Sequence, residues 1–316
     1  MRKEEEETMT IPAAAVATTA TAATRLLHVV RVRYEGHEPF RPGADPTDGY
    51  AASGAWEVFG PPTVATPVLP DEARTGDPVV DLGILGGEIA AAVAAGRRAG
   101  RPVLVAGGTC GVTPGVVGGM QQAHGPGVRI GLVWFDAHGD FNTPQTTHSG
   151  MLGGMPVAVA AGLAHREWRE RSRLVAPIPT DRILMVDVRN LDPEEAVLVR
   201  AVGIPVLSPA PGFPGGDLAA AVADLAARCD LLYLHIDVDI LDLSLVPNHP
   251  TGEPNGPDVA QTLAAMETVF ATGKVAVVAL VSVRADGAGG AVSLRSGIEL
   301  LAGSMAAWRR YGAPAG

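Results

Sequence analysis

From about residue 25 the chain alternates short, continuously apolar runs rich in β-branched residues with longer Ala-rich stretches. That order, strand then helix repeated, is the pattern of a parallel sheet covered by helices. The runs at 26–32, 102–106, 129–135, 182–188, 205–207, 231–236 and 275–283 are the expected strands. Helices are expected at 82–99, 217–228 and 257–272, with a last one from about 291 to 310. Strands that are apolar throughout suit a sheet buried on both faces, so the expected fold class is α/β, a three-layer αβα sandwich around a parallel sheet. The 39 Gly and 26 Pro, many lying between apolar runs, fit a fold with many loops rather than a helix bundle.

The 316 residues suffice for a large buried core, and no repeat or second composition regime divides them. One domain is expected over 25–316, preceded by a disordered tail over 1–24. In that tail Met1-Arg2-Lys3 runs at once into Glu4 to Glu7, unlike a secretory signal. Net charge is −10 with no local basic cluster, which argues against a nucleic-acid partner. The run 275–283 is too short to span a bilayer, and 82–99 is interrupted by Glu88 and several glycines, so no membrane segment is expected. Two cysteines, Cys110 and Cys229, cannot form a disulfide framework, and a cytoplasmic location is the expectation.

In open α/β sheets the active site lies beyond the carboxyl ends of the strands. Three polar clusters stand there: Gly107-Gly108-Thr109-Cys110, Asp136-Ala137-His138-Gly139-Asp140 and Asp237-Val238-Asp239. Read as extended chain, the second places Asp136, His138 and Asp140 on one face, and the third ends a strand in two carboxylates one residue apart. Clustered carboxylates with no basic neighbour in sequence are costly unless protonated or neutralised, and divalent cations neutralise them well. Two such clusters suggest two metal ions. A single Asp after a strand more often caps a helix or fixes a loop; five ligand-type residues together point to metal. Gly107 and Gly108 alone would indicate only a tight turn, and a lone Cys a buried apolar filler.

These segments resemble the ureohydrolase family of arginases, agmatinases and related amidinohydrolases, whose hallmarks GGDH, DAHxDxN and DVDxLDP are matched by Gly107 to Cys110, Asp136 to Asn142 and Asp237 to Leu243. The match runs roughly from Val103 to Arg310. The resemblance implies the same αβα fold, a small-molecule substrate, trimers or hexamers, and two divalent ions, Mn2+ first, bridged by hydroxide. It implies Cys110, Asp136, Asp140 and Asp237 on one ion and His138, Asp136, Asp237 and Asp239 on the other, with Asp140 also orienting the nucleophile. Such a pair lowers the pKa of a shared water, making a nucleophile that attacks a planar guanidinium or amide carbon at neutral pH.

The sequence also departs from the family. Cys110 stands where the family has a histidine, adding a negative charge and favouring Zn2+ or Co2+ over Mn2+; alternatively it only packs and one ion is lost. A cysteine there resembles the branch that hydrolyses N-hydroxyarginine, as do Gly139 to Pro144 and Leu152 to Met155. Asn142 and Ser149 match residues that contact an α-carboxylate, and Asp192 one that faces an α-amino group, which hints at an amino-acid-like substrate. Alternatively the first two fix the loop and Asp192-Pro193 starts a helix. Met151 replaces an asparagine that serves the carboxylate. Gly153 replaces a proton-shuttle histidine, and Arg284 stands where the guanidinium-binding glutamate is expected after the 275–283 strand. Glu253, in a loop about two residues longer than usual, could pair with Arg284, receive a cation or act in catalysis. His249 in the same loop is a solvated surface residue by default, yet its position just after two metal ligands makes it a catalytic candidate.

The expected activity is binuclear metal-dependent hydrolysis of a C–N bond in an amidine, guanidine or amide, with arginine itself a poor substrate. Two readings compete: a related enzyme acting on an ester or other carbonyl, and a metal-binding paralogue without turnover. Retention of both Asp pairs speaks against the latter.

Overall fold

A computed structural model of the chain describes residues 26–315, so the expected tail over 1–24 lies outside the described residues. The strands are β1 (His28–Val32), β2 (Tyr34–Glu35), β3 (Glu38–Pro39), β4 (Thr63–Ala65), β5 (Val103–Gly107), β6 (Ile130–Phe135), β7 (Ile183–Val186), β8 (Val206–Leu207), β9 (Leu231–Asp237) and β10 (Val275–Val281). The helices are α1 (Thr47–Ser53), α2 (Pro78–Arg98), α3 (Thr113–His124), α4 (Pro156–Ala160), α5 (Arg166–Arg171), α6 (Pro193–Ala201), α7 (Leu218–Arg228), α8 (Val259–Phe270) and α9 (Gly290–Tyr311). Strands β2 and β3 form a small antiparallel hairpin; the other eight form one sheet, paired in parallel in the order β4-β1-β5-β10-β9-β6-β7-β8.

The continuous apolar runs mean what they were expected to mean: β5, β6, β9 and β10 are buried at every residue. Each sheet face carries its own core. Leu85 and Ile89 of α2, Val116 and Met120 of α3, Trp168 of α5 and Val199 of α6 cover one face with Leu132, Trp134 and Tyr233. Leu225 of α7, Phe270 of α8, and Leu301 and Trp308 of α9 cover the other, with Phe135 and Ile236. The result is the three-layer αβα sandwich. Helix α2 is long and apolar enough to cross a membrane, but two thirds of its most apolar stretch is buried in this core.

One helix that composition obscured is α3, whose sequence TPGVVGGMQQAH has the glycines of a loop. Those glycines are contact points. A Cβ on Gly115 would lie 2.5 Å from the carbonyl oxygen of Gly86 in α2, and one on Gly119 would lie 2.6 Å from that of Ala90. The two helices pack backbone against backbone, and the helix propensity lost at these positions is the cost of that approach.

The sheet order sets the site. Strands β5, β10, β9, β6 and β7 lie side by side and run the same way, so the loops leaving their carboxyl ends are adjacent in space. Cys110 and Asp237, 127 residues apart, therefore meet over the same sheet edge.

Candidate metal centre

Strand β5 ends at Gly107, and Gly107 and the following Gly108 are both left-handed, at φ 80° and 79°. A Cβ on Gly107 would lie 2.6 Å from the Val32 carbonyl oxygen, so only glycine lets the chain turn here and carry Cys110 over the sheet. Cys110 is buried, with Sγ 2.9 Å from Asp237 Oδ2, 3.6 Å from Asp136 Oδ2 and 3.4 Å from His235 Nε2.

Asp136 follows β6 directly, and its Oδ1 accepts the His138 backbone N–H at 2.6 Å. His138 Nδ1 lies 3.0 Å from Asp239 Oδ2 and 3.4 Å from Asp136 Oδ1. The expected strand-like alternation does not extend to Asp140: its φ is 47°, and this left-handed turn, rather than period two, brings it inward. Glu195 holds the turn, one oxygen accepting the Phe141 N–H at 2.8 Å and the other the Asp192 N–H at 3.2 Å. Asp237, the last residue of β9, accepts the Asp239 N–H at 3.0 Å through Oδ1.

Burial and then mutual repulsion hold Asp136, Asp140 and Asp237 above the ordinary carboxylate range. Burial and the same carboxylates push the Cys110 thiol well up. Burial opposes protonation of His138, but hydrogen bonds and charges from Asp136 and Asp239 prevail and push it up to about 12. Without a cation, protons supply the missing positive charge. Asp140 Oδ2 is buried and has no hydrogen-bond partner among the described residues, as a carboxylate awaiting a cation would. Three overlapping sets of potential ligand atoms, each within 4.8 Å, are Cys110, Asp136 and His235; Asp136, His138 and Asp239; and Asp237, Asp239 and His249. Asp136 and Asp239 each belong to two sets, as ligands of a two-ion centre would. The donors fit a pair of divalent cations.

This cluster floors a cavity of about 620 Å3, and Asn142, Ser149, Asp192, Met151, Gly153 and Arg284 also line it. Asn142 Nδ2 donates to Asp192 Oδ2 at 3.1 Å, and Ser149 is exposed at the mouth. Asp192 does both things proposed for it: it precedes Pro193 in the capping box of α6 and it faces the cavity.

Three expectations need correction. His249 is not a solvated loop residue: its side chain is 6% exposed, with Nε2 3.6 Å from Asp237 Oδ1 and Nδ1 3.6 Å from Asp239 Oδ2. The longer loop folds it back over the acidic cluster, where Thr251 N–H donates to Nδ1 at 3.3 Å. Glu253 does not pair with Arg284; its Oε1 accepts from Asn190 Nδ2 at 2.6 Å and lies 3.7 Å from His138 Nε2. Arg284 is held by Glu35 at 2.6 Å, which compensates its charge, and the residue that β10 delivers to the acidic cluster is Ser282. Ser282 is left-handed at φ 63°, and its Oγ donates to Asp237 Oδ2 at 2.5 Å.

Sequence reasoning also missed His235 and Arg189. His235 sits inside β9, where a histidine gives no motif signal. Arg189 joins two active loops: it pairs with Asp187 at 2.5 Å and donates to the carbonyl oxygens of Asp239 at 3.1 Å, Ile240 at 3.1 Å and Glu253 at 3.0 Å. It fixes the backbone that carries Asp239 and Glu253.

A family model described as the arginase family matches residues 73–300. An arginase of Bacillus caldovelox is 31% identical over 183 residues, covering 57% of this chain and 60% of that protein. An N(omega)-hydroxy-L-arginine amidinohydrolase of Streptomyces lavendulae is 34% identical over 161 residues, covering 51% of this chain and 53% of that protein. The matches thus span less than two thirds of these curated relatives. Among solved structures, an Entamoeba histolytica arginase in complex with L-ornithine superposes with a TM-score of 0.73 at 21% identity, covering 87% of this chain and 98% of that one. The native arginase of Bacillus caldovelox gives 0.72 at 23% identity, covering 88% and 98%. At such identities the likeness is one of fold.

Proposed function

The chain belongs to the arginase family, and from that premise we propose that it is a two-metal hydrolase cleaving a guanidine-, amidine- or amide-type C–N bond in a small amino-acid-like molecule, with arginine a poor substrate. The observation that carries this reading is the convergence of Cys110, Asp136, His138, Asp140, Asp237 and Asp239 on the floor of one cavity whose wall holds Asn142, Ser149 and Asp192. When bound, the ions would supply a water acidified enough to act as nucleophile at neutral pH. The protein's own groups do the rest. Asp192 offers a carboxylate to an ammonium group, while Asn142 and Ser149 offer neutral donors to a carboxylate. His138 and His249 line the cavity at the metal end, where His249 can accept or return a proton at the scissile nitrogen, with Glu253 3.7 Å behind His138 Nε2.

Substrate choice follows from what stands opposite. A cationic guanidinium needs an uncommitted carboxylate near the reacting carbon. Here β10 delivers the neutral Ser282, Glu253 is committed to Asn190, and Arg284 contributes a cation paired with Glu35. An uncharged amide avoids that deficit, and an N-hydroxyguanidine, much less basic than a guanidine and so readily deprotonated, lessens it.

The test is release of urea or ammonia by the metal-loaded chain from arginine, agmatine and N-hydroxyarginine, in the wild type and in Arg284→Glu and Ser282→Glu. N-hydroxyarginine, the least basic of the three, should be preferred by the wild type increasingly as pH rises, and a new carboxylate should raise the rate on arginine. Efficient turnover of arginine by the wild type, unimproved by either variant, would reverse the assignment.

A further inference from the structure

We propose that His235 is a ligand of the deeper ion, so that this ion is held by an imidazole and a thiolate together with carboxylate, and is zinc- or cobalt-type in character. The inference rests on the two-metal reading and adds to it a donor from inside strand β9 that the family motifs do not supply.

The geometry is that of ligands around one ion. Zn2+ binds thiolate at about 2.3 Å and imidazole at about 2.0 Å, so two such donors on a tetrahedral ion stand about 3.5 Å apart. Cys110 Sγ lies 3.4 Å from His235 Nε2 and 3.6 Å from Asp136 Oδ2, both close to that ligand-to-ligand separation. The buried, unpartnered Asp140 Oδ2 is an independent sign that a cation belongs at this end.

His235 is also held as a ligand should be. It pairs in register with Trp134 of β6, and the two rings stack at 3.7 Å with their planes 5° apart, which fixes the imidazole plane. The Tyr233 hydroxyl lies 2.8 Å from Nδ1, with Thr113 Oγ1 3.4 Å from both groups. An Nδ1–H donating to Tyr233, which in turn donates to Thr113, leaves the Nε2 lone pair directed toward Cys110. An outer partner on the far nitrogen is how ligating histidines are oriented. The mixed nitrogen and sulfur set suits Zn2+ or Co2+ better than Mn2+.

The experiment uses the full chain, stripped of metal and loaded with one equivalent of Zn2+ or Co2+. X-ray absorption at the metal edge should show one sulfur neighbour together with imidazole scattering; sulfur without imidazole would overturn the proposal with no variant needed. His235→Gln should weaken the first Zn2+ equivalent by at least 10- to 100-fold in chelator competition. It should change the cobalt ligand-field bands while the thiolate-to-cobalt charge-transfer band persists. Tyr233→Phe, which keeps the imidazole, should give a smaller loss with an unchanged spectrum. Wild-type affinity and spectrum in His235→Gln would overturn the proposal. If Asp136→Asn then still removed metal, only this inference would fail; if Asp136→Asn were silent too, the two-metal reading itself would fall.

Discussion

Loading the metal-free chain with Zn2+ is expected to release at least two protons, because two of its ligands hold protons that metal binding must displace. Burial and the neighbouring carboxylates push the Cys110 thiol well above its ordinary value, and Asp136 and Asp239 hold His138 at about 12. Near neutral pH the free chain therefore carries a thiol and an imidazolium, whereas a ligating cysteine is a thiolate and a ligating histidine is neutral. The free state binds more protons than the loaded state, so metal uptake strengthens as pH rises and weakens as it falls. Two protons make the product of the two binding constants rise about 100-fold per pH unit, or about 2.7 kcal/mol. The elevated carboxyls of Asp136, Asp140 and Asp237 can only add to the count. Calorimetric titration with Zn2+ in two buffers of different ionisation enthalpy measures the number directly. Cys110→Ala and His138→Ala should each lower it by about one. Release of fewer than one proton, or an unchanged count in Cys110→Ala, would refute the reasoning and reduce Cys110 to a packing residue.

Asp136→Asn and Asp237→Asn should each bring metal content below one ion per chain by elemental analysis, and two ions retained in both variants would show that neither carboxylate is shared. Cys110→Ser should weaken one ion selectively, because a hydroxyl is a poorer anionic donor than a thiolate, and Cys110→His should raise Mn2+ occupancy in equilibrium dialysis. Because Cys110 is buried in the cavity floor, the ion lost should be the deeper of the two; the exposed side belongs to His138, at 22%. Arg189→Ala should cost about 3 kcal/mol in denaturant unfolding by leaving Asp187 buried without its partner. It should also weaken metal binding by freeing the Asp239 backbone, so a variant with unchanged stability and metal affinity would contradict its bridging role.

The parts of the fold that were legible are those whose signal is local. Seven strands were expected, and each was found with its ends moved by no more than two residues, because a strand buried on both faces writes itself as an unbroken apolar run. What escaped has a nonlocal reason to exist. Strand β4 is three residues long, with two of them exposed, and earns its place only by pairing with β1 at the sheet edge. Helix α3 looked like a loop because its glycines answer to α2, a partner no window of sequence contains. Helices α5 and α6 are six and nine residues long, too short for their periodicity to stand out from the loops around them.

The site divides along the same line. Asp136, His138, Asp237 and Asp239 could be named because two of the strands end in them, and strand ends are visible in sequence. Cys110 could be named only with the help of a motif. His235 could not, since within a strand a histidine reads as one more buried residue; its meaning comes from β9 lying between β10 and β6, which sets it beside Trp134 and beneath Cys110. The same sheet order explains the error over Arg284. Its position in sequence placed it after the last strand, but β10 stops at Val281, so Ser282 takes the strand-end position and the left-handed turn there sends Arg284 toward Glu35. A shift of two residues in the end of one strand thus exchanges a cation for a hydroxyl at the acidic cluster, and the proposed choice of substrate class turns on that exchange.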